Sequence, residues 1–177
     1  MVSPVTMRIR LAHCTLRPWH HGDEAAVAHH ANDREVWRNL RDVFPHPYTL
    51  QDAIDWVGHA SSQSPVSEFA ISIDSEAVGG IGIVPQQDIF RRSAEVGFWL
   101  GRAHWGRGLA TEALVAVTDY AFATFDLSRL YAGVIEWNVA SCRVLEKAGY
   151  TLEARLRKAV TKDGQTVDEF LYAKVRD

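Results

Sequence analysis

The segment HWGRGLATEAL, residues 104–114, places two glycines two positions apart with an arginine between them. Glycine lets backbone N–H groups turn towards a ligand and approach it closely. The residues from Leu109 onwards favour a helix, whose N-terminus adds unpaired N–H groups and a positive dipole. Arg107 supplies a cation. The segment therefore has the parts of a pyrophosphate site, although a lone GxGxA pattern more often only lets the chain enter a helix.

Two other phosphate-binding patterns do not fit this segment. A Walker loop requires Gly-Lys-Ser/Thr, which the sequence lacks, and a Rossmann fingerprint requires a third glycine where Thr111 stands. Asp126 lies about where a ribose-binding acid would follow a Rossmann loop. The helix predicted over 109–125 runs up to Asp126 and leaves no room for the strand that would carry such an acid.

A second motif, NVASCRVLEKAGY at residues 138–150, follows a predicted strand over 129–136. Together the two motifs resemble the GNAT acetyltransferase superfamily. In that superfamily G-x-G-x-A follows a central strand and binds the pyrophosphate of coenzyme A. The helix that begins at the asparagine lies beside the pantetheine.

More narrowly, the chain resembles the branch that includes bacterial ribosomal-protein alanine and serine N-acetyltransferases. The resemblance runs through nearly the whole chain, so that 1–177 is expected to form a single acetyltransferase domain. The segments that carry it are LRPW (16–19), FPHPYT (44–49), AEVGFWLGRAHWGRGLATEAL (94–114), NVASCRVLEKAGY (138–150) and KDGQTVDEFLYA (162–173).

The resemblance implies an enzyme that uses acetyl-CoA as cosubstrate, without a metal, and transfers the acetyl group directly to a primary amine. The α-amine of a protein or peptide N-terminus is the expected acceptor. Two alternatives stay open. The acceptor is a small amine such as an antibiotic, a polyamine or an amino acid, or the chain is a non-catalytic sensor of acyl-CoA.

The residues expected to bind the cofactor come from one strand, the glycine loop and the helix after Asn138. Gly97 stands inside an otherwise bulky strand, where close approach of a ligand is common, and the backbone of the residues after it is expected to bind pantetheine like an added strand. The predicted set is Phe98, Trp99, Leu100, Trp105, Gly106, Arg107, Gly108, Leu109, Ala110, Thr111, Asn138, Ser141, Arg143 and Lys147.

The chain departs from the family pattern at two places. Ala103 stands three residues before the first glycine, where Gln or Arg is usual, and counting back from Gly108 instead gives Trp105. Leu145 stands where many members carry a tyrosine that acts as general acid. Ser141, one turn after Asn138 on the same helix face, is the expected substitute.

Glu95 is the candidate catalytic base, because a carboxylate in an apolar strand loses solvation and becomes more basic. An equally weighted alternative is a structural glutamate paired with Arg91 or Arg92. Asp168 and Glu169 on the C-terminal hairpin are further candidates. The acceptor cleft is expected between the first two helices and that hairpin. Its candidate lining residues, each of which also suits an ordinary core position, are Phe44, Tyr48, Trp37 and Trp56.

The elements that must position these residues follow from periodicity. The pattern predicts a strand over 8–19, helices after Asp23 and after Thr49, strands over 68–74, 77–84 and 94–101, and a helix over 109–125. A strand over 129–136, a helix over 138–149 and a hairpin around KDGQ complete the chain. This order predicts an α/β (α+β) fold with a mixed, mostly antiparallel central sheet flanked by helices, and strands 94–101 and 129–136 parallel.

The bulk composition excludes several classes of protein. The net charge of −3 gives no overall attraction to nucleic acid, and no apolar run is long enough for a signal peptide or a membrane span. Two widely separated cysteines favour a reducing, cytoplasmic location. The doublets His20-His21 and His29-His30 are expected to be solvated rather than to bind metal. Monomer and homodimer both stay open.

Overall fold

The structure, a computed structural model, describes residues 7–176 of the chain. It contains one eight-stranded sheet with the strand order β1-β2-β3-β4-β5-β6-β8-β7. The strands are β1 (Ile9–Arg10), β2 (Thr15–Pro18), β3 (Glu68–Ile73), β4 (Glu76–Pro85), β5 (Ser93–Leu100), β6 (Arg129–Ile135), β7 (Thr151–Lys162) and β8 (Gln165–Val175). The helices are α1 (Glu24–Ala31), α2 (Arg34–Trp37), α3 (Leu50–Ser61), α4 (Leu109–Thr124) and α5 (Val139–Lys147).

The sheet is antiparallel except at its centre. There β5 and β6, which α4 connects, run parallel over three residue pairs that end at Glu95 and Tyr131. Beyond this point the two strands no longer pair, whereas β5 continues to pair with β4 as far as Leu100. The sheet therefore opens between its two central strands.

Each face of the sheet has its own core. On one face the side chains of α4 and α5, including Leu109, Leu114 and Leu145, pack against β2 to β6. On the other face α1 and α3 pack through Val27 and Val57 against a smaller cluster. Alternate residues of a strand face opposite sides, so the odd-numbered residues of β5 face the second side, which we call the acceptor face.

Most predicted elements are present within two residues of their expected bounds. The predicted strand over 8–19 is wrong as one element, because the chain turns between Arg10 and Thr15 and forms the hairpin β1–β2. The one-turn helix α2 was not predicted. Its start is fixed locally, since the Asp33 side chain accepts a hydrogen bond from the Glu35 N–H.

The helix starts show which capping signals hold. Thr49 and Asp52 form a reciprocal capping box at α3, as their spacing predicts. Asp23 precedes α1 but does not cap it with its side chain. Its carboxylate instead forms two 2.8 Å hydrogen bonds with the buried Arg17 guanidinium.

The histidine doublets are only partly solvated. The side chain of His30 is 9% exposed and bonds Glu76 at 2.6 Å, so the expectation of a surface histidine is wrong there. Within residues 7–176, no cluster of His, Cys, Asp and Glu is arranged to hold a metal ion. No helix in that range is long and apolar enough to cross a bilayer.

Candidate active site

The opening between β5 and β6 exposes backbone groups in the middle of the sheet. From Gly97 to Leu100, β5 has a neighbour on the β4 side but none on the β6 side. Such an edge can accept an extended ligand as an added strand. Phe98 and Leu100 turn their side chains into the main core and Trp99 turns to the acceptor face, so none of these three side chains fills the opening.

The glycine loop lies directly after β5. Gly106 and Gly108 have φ values of +72° and +79°, and no atom beyond their chain neighbours lies within 4 Å of where a Cβ would stand. Among the hydrogen bonds of the described chain, the backbone N–H groups of residues 106–111 have no acceptor. Six free N–H groups around an open hollow at the start of α4 form an anion-binding cradle.

Side chains hold this cradle against the sheet. The Trp105 indole donates a 2.9 Å hydrogen bond to the Leu100 carbonyl and so fixes the loop to the end of β5. Arg107 is exposed and its guanidinium lies 3.1 Å from Nδ1 of His104. Burial, with His30 and Arg107 nearby, lowers the pKa of His104. A neutral His104 leaves the positive charge of the loop to Arg107.

Asn138 and Ser141 are in contact at the start of α5. The Asn138 side chain caps the helix by accepting from the Ser141 N–H at 3.2 Å, and its Nδ2 donates to the Ser141 hydroxyl at 2.8 Å. In the described chain that hydroxyl makes no bond back to its own helix. Its proton is therefore free to be donated to a ligand. Arg143 and Lys147, also predicted to bind the cofactor, are exposed on the same helix.

The hydroxyls of the two nearby tyrosines are buried and already hydrogen-bonded. Tyr150 and Tyr172 are 4% and 3% exposed. The Tyr150 hydroxyl bonds Thr118 and the Tyr172 hydroxyl donates to Glu146. Burial raises the pKa of Tyr150 to about 12, which makes it a still weaker acid.

Three glycines form the floor of the acceptor face beside the opening. Gly82 of β4 pairs with Gly97 of β5, and the parallel register of β5 and β6 places Gly133 at the same level on β6. Gly97 and Gly133 are exposed. The absence of side chains at all three positions leaves the opening accessible from this face.

Glu95 lies on the acceptor face one register step from this floor. Its side chain is 19% exposed and forms an ion pair with Arg41. The alternative of a pair with Arg91 or Arg92 is wrong, since Arg92 pairs with Asp126 and Arg91 bonds a backbone carbonyl. Arg41 reaches Glu95 from a loop 54 residues away in sequence.

Two further carboxylates lie over the glycine floor, one from each side. Oε2 of Glu68, on β3, lies 1.9 Å from where a Cβ on Gly82 would stand, and Oε1 of Glu169, on β8, lies 2.2 Å from the equivalent point on Gly133. Burial raises the pKa of Glu68 to about 7. Burial and the negative charge of Glu95 raise that of Glu169.

Asp168 does not face this floor. Its carboxylate accepts hydrogen bonds from the Lys158 N–H at 2.9 Å and from Arg155. These contacts, the first of them foremost, lower its pKa. Asp168 shares an open pocket of about 520 Å³ with Glu136, Arg155 and Lys158. Its contact with Lys158 anchors the stretch of β7 between Leu156 and Val160, where the register against β8 shifts.

The loop over 38–46, here called the roof loop, covers part of the acceptor face. Asn39 accepts a 3.1 Å hydrogen bond from Trp137, and Asp42 pairs with Lys162 at 2.7 Å. With the Arg41–Glu95 pair, these contacts connect the roof loop to β5, the end of β6 and β7.

The four predicted acceptor aromatics divide between two roles. Tyr48 and Trp56 belong to the second core with α1 and α3, so the core interpretation holds for them. Phe44 packs against the same core and lies on Trp99, with ring centroids 5.5 Å apart. Trp37 lies apart, stacked on His46 and covered by Lys162 Nζ at 3.7 Å.

Sequence reasoning missed Glu68, Arg41 and the glycine floor. Glu68 opens an apolar strand, and the hairpin prediction already implied a glycine opposite it, so the signal was available. No sequence signal pointed to Arg41, because its ion pair with Glu95 depends on how the roof loop folds over the sheet.

Comparison with known proteins identifies the family and several relatives of this chain. The family model described as the acetyltransferase (GNAT) domain matches residues 13–151. An N-acetyltransferase of Bacillus licheniformis is 27% identical over 170 residues, which cover 92% of each chain. The spermidine N(1)-acetyltransferase of Escherichia coli K12 is 29% identical over 154 residues, covering 85% of this chain and 79% of that protein.

A solved structure shares the fold over almost the full length. It is a ribosomal L7/L12 α-N-protein acetyltransferase in complex with coenzyme A. It is 19% identical, covers 96% of this chain and 98% of its own, and has a TM-score of 0.83. At this identity the likeness concerns the fold alone.

Proposed function

The chain belongs to the GNAT acetyltransferase family, and from that premise we propose that it transfers an acetyl group from acetyl-CoA to the α-amine of a peptide or protein N-terminus. The observation that carries the proposal is the opened sheet, whose free β5 edge leads directly into the N–H cradle at residues 106–111. A chain that binds a pyrophosphate and an extended pantetheine needs these two features in this order.

The residues present fit coenzyme A. The cradle is hollow where a Cβ would fill it, and its N–H groups, the α4 dipole and Arg107 all favour an anion. The free edge of β5 provides backbone hydrogen bonds for pantetheine. Bound acetyl-CoA supplies an activated acyl thioester, and the protein provides the groups that orient it and move protons.

The chain's own groups would assist transfer at three points. A backbone N–H on the free edge of β5 polarises the thioester carbonyl. Asn138 positions the Ser141 hydroxyl, which donates a hydrogen bond to the departing sulfur. Glu95, beside the floor, stays the sequence-based prediction for the base. Its ion pair with Arg41 means that the carboxylate must share its charge with a guanidinium while it acts.

The choice of an α-amine rests on acid–base chemistry and on access. With a pKa of about 7.8, roughly a seventh of an α-amine is neutral at pH 7, against under about one part in a thousand of a lysine side chain. The exposed floor at Gly97 and Gly133 is reached from solvent beside the roof loop. A chain terminus can enter there without the enclosed pocket that a small molecule usually requires.

A polyamine is the second candidate acceptor. The relative from Escherichia coli is named for spermidine, and the carboxylates of Glu68 and Glu169 flank the floor from both sides. Two carboxylates separated by the width of the floor suit a molecule with more than one ammonium group. The ion pair between Glu95 and Arg41 removes a third free negative charge from the same face.

The test is acetyl-CoA consumption with a panel of amines. It includes peptides beginning with Ala or Ser, the same peptides with a blocked N-terminus and an internal lysine, spermidine, and an aminoglycoside. We expect kcat/KM for the free N-termini to exceed that of every other amine at least about tenfold. Preference for spermidine would replace the proposal with the second candidate, and thiol release at background with every amine would contradict enzymatic transfer.

A further inference from the structure

The carboxylate of Glu68 is placed for chemistry by a pair of glycines. Gly82 and Gly97 face each other across β4 and β5, and Glu68 pairs with Gly82 from β3. The side chain lies flat over Gly82, with Oε1 and Oε2 at 2.6 and 1.9 Å from where its Cβ would stand. Any residue but glycine at position 82 would displace this carboxylate, and any residue but glycine at position 97 would separate it from the opening.

The electrostatic surroundings of Glu68 differ from those of the other carboxylates on this face. Its pKa is raised to about 7 by burial alone, and no charged or hydrogen-bonding group of a neighbouring element contributes. Glu95, in contrast, is held by Arg41. Glu169 is near the negative charge of Glu95 and the positive charge of Arg41. Glu68 is thus the carboxylate on the floor whose pKa is set by burial and not by a charged neighbour.

We propose that Glu68 is a catalytic residue that binds the acceptor ammonium over the Gly82–Gly97 floor and accepts its proton. The proposal rests on the proposed function and gives to Glu68 the role of base that the sequence predicted for Glu95. A base works best when its pKa lies near the working pH, and the value of about 7 for Glu68 lies close to that of an α-amine.

The proton and electron balance is simple. One N–H bond of the ammonium breaks and its proton passes to a Glu68 oxygen, which leaves a neutral amine with a lone pair. That lone pair forms the new C–N bond to the acetyl carbon, and the C–S bond breaks with its electron pair on sulfur. The nitrogen then loses a second proton to solvent, and the thiolate is stabilised by Ser141.

In this arrangement the Glu95–Arg41 pair acts as a positioning element. Arg41 belongs to the roof loop, and its ion pair with Glu95 fixes that loop over the floor. Removal of either partner should change acceptor KM more than kcat. Removal of the Glu68 carboxylate should change kcat and its pH dependence.

The experiment compares the pH profiles of wild type, Glu68→Gln and Glu95→Gln with an N-terminal peptide acceptor and saturating acetyl-CoA. We expect kcat of Glu68→Gln to fall about thirtyfold or more at pH 7 and the deficit to shrink below about fivefold at pH 9.5, where the acceptor is already neutral. Gly82→Ala should reproduce this pattern because its Cβ displaces the carboxylate. Glu153→Gln, on the far strand β7 and paired with Arg129, should match wild type.

A second measurement does not depend on turnover. In ¹³C NMR spectra of protein with labelled glutamate carboxyls, the signal missing from Glu68→Gln identifies Glu68. Its titration midpoint should fall when the peptide is added without acetyl-CoA, because the ammonium favours the charged carboxylate, and the N-acetylated peptide should leave the midpoint unchanged.

Three results would overturn the inference. In the first, wild type turns over the peptide, Glu68→Gln has the wild-type rate at every pH, and the Glu68 titration midpoint does not change when peptide is added. Glu68 is then not the base, and the proposed function stands. A Glu95→Gln variant that alone shows the pH-dependent loss leads to the same conclusion. If wild type acetylates no amine, the proposed function and the inference fail together.

Discussion

The Ser141 hydroxyl accepts a hydrogen bond from Asn138 Nδ2 and keeps its own proton for a ligand. A serine hydroxyl is too weak an acid to protonate a thiolate fully. Its value would lie in a hydrogen bond that strengthens as negative charge develops on sulfur. The hydroxyls of Tyr150 and Tyr172 are buried and already bonded, which favours Ser141 as the donor in the proposed reaction.

Ser141→Ala should therefore lower kcat about ten- to a hundredfold, with coenzyme A affinity unchanged. Stopped-flow or steady-state kinetics give kcat, and calorimetry with coenzyme A gives the affinity. Ser62→Ala, an exposed serine that follows α3, is the matched control. Turnover of Ser141→Ala at the wild-type rate would show that the thiolate is stabilised elsewhere.

At the residue scale the sequence predicts what depends on near neighbours and misses what depends on tertiary pairing. Asn138 and Ser141 are three residues apart on one helix, so their contact follows from helix geometry. The partner of Glu95 could not be predicted, since Arg41 lies in a loop. Glu68 has a basic carboxylate only because β3 pairs in register with Gly82, and a one-residue slip would turn it to the other face.

At the scale of elements, the candidate site is a strand, a loop and a helix that present free backbone groups. β5 ends at Leu100, Trp105 fixes the loop to that end, and Gly108 in a left-handed conformation precedes α4 without a side-chain cap. The uncapped helix start leaves its N–H groups for a ligand. Local sequence was sufficient to predict this unit, because glycine spacing and a four-residue apolar repeat are local signals.

Gly108→Val should weaken coenzyme A binding at least about tenfold, or about 1.4 kcal/mol. A branched side chain fills the cradle, and the φ of +79° is strained for valine. Calorimetry measures the affinity, and circular dichroism checks the fold.

Gly164→Val is the control for strain in that experiment. Gly164 also has a positive φ, +74°, and no atom within 4 Å of its Cβ position, but it lies in the β7–β8 turn. Its variant should lose similar stability and keep coenzyme A affinity. Equal affinity of Gly108→Val and wild type would place the phosphates elsewhere.

The elements that sequence did not predict are those without a local repeat. β1 and β2 are two and four residues long, too short for alternation to separate them from one longer strand. The helix α2 has a single turn, too short for an apolar repeat. The opening between β5 and β6 leaves no mark on either strand's own pattern, because pairing with β4 and β8 continues past it.

Across the whole molecule, the glycine floor is a compromise between access and stability. An open floor lets an acceptor reach the sheet, but it also places carboxylates over backbone where water is scarce. Glu68 makes this cost measurable, since its pKa of about 7 in the folded chain compares with 4.5 for a free glutamate. The unfolded chain releases the Glu68 proton at lower pH than the folded chain.

The contribution of Glu68 to the free energy of unfolding should therefore fall as pH rises from about 4.5 to 7. Below this window the group is protonated in both states and has no effect, and above it the folded protein carries the full cost of a buried charge. Glu68→Gln stays neutral and removes this dependence. Urea unfolding gives the free energy of unfolding of both proteins at pH 5 and pH 7.5. The value for the variant minus that for wild type should rise by up to roughly 3 kcal/mol between the two pH values.

Comparing the two proteins cancels the titration of all other groups, including the histidines, because these are common to both. Glu153→Gln provides the matched control, since Arg129 lowers the pKa of Glu153 and any stability it contributes is lost only as pH falls below the range tested. Its difference from wild type should be the same at pH 5 and pH 7.5. If the difference for Glu68→Gln is equally constant, the carboxylate of Glu68 is better solvated in the folded chain than its position over Gly82 implies.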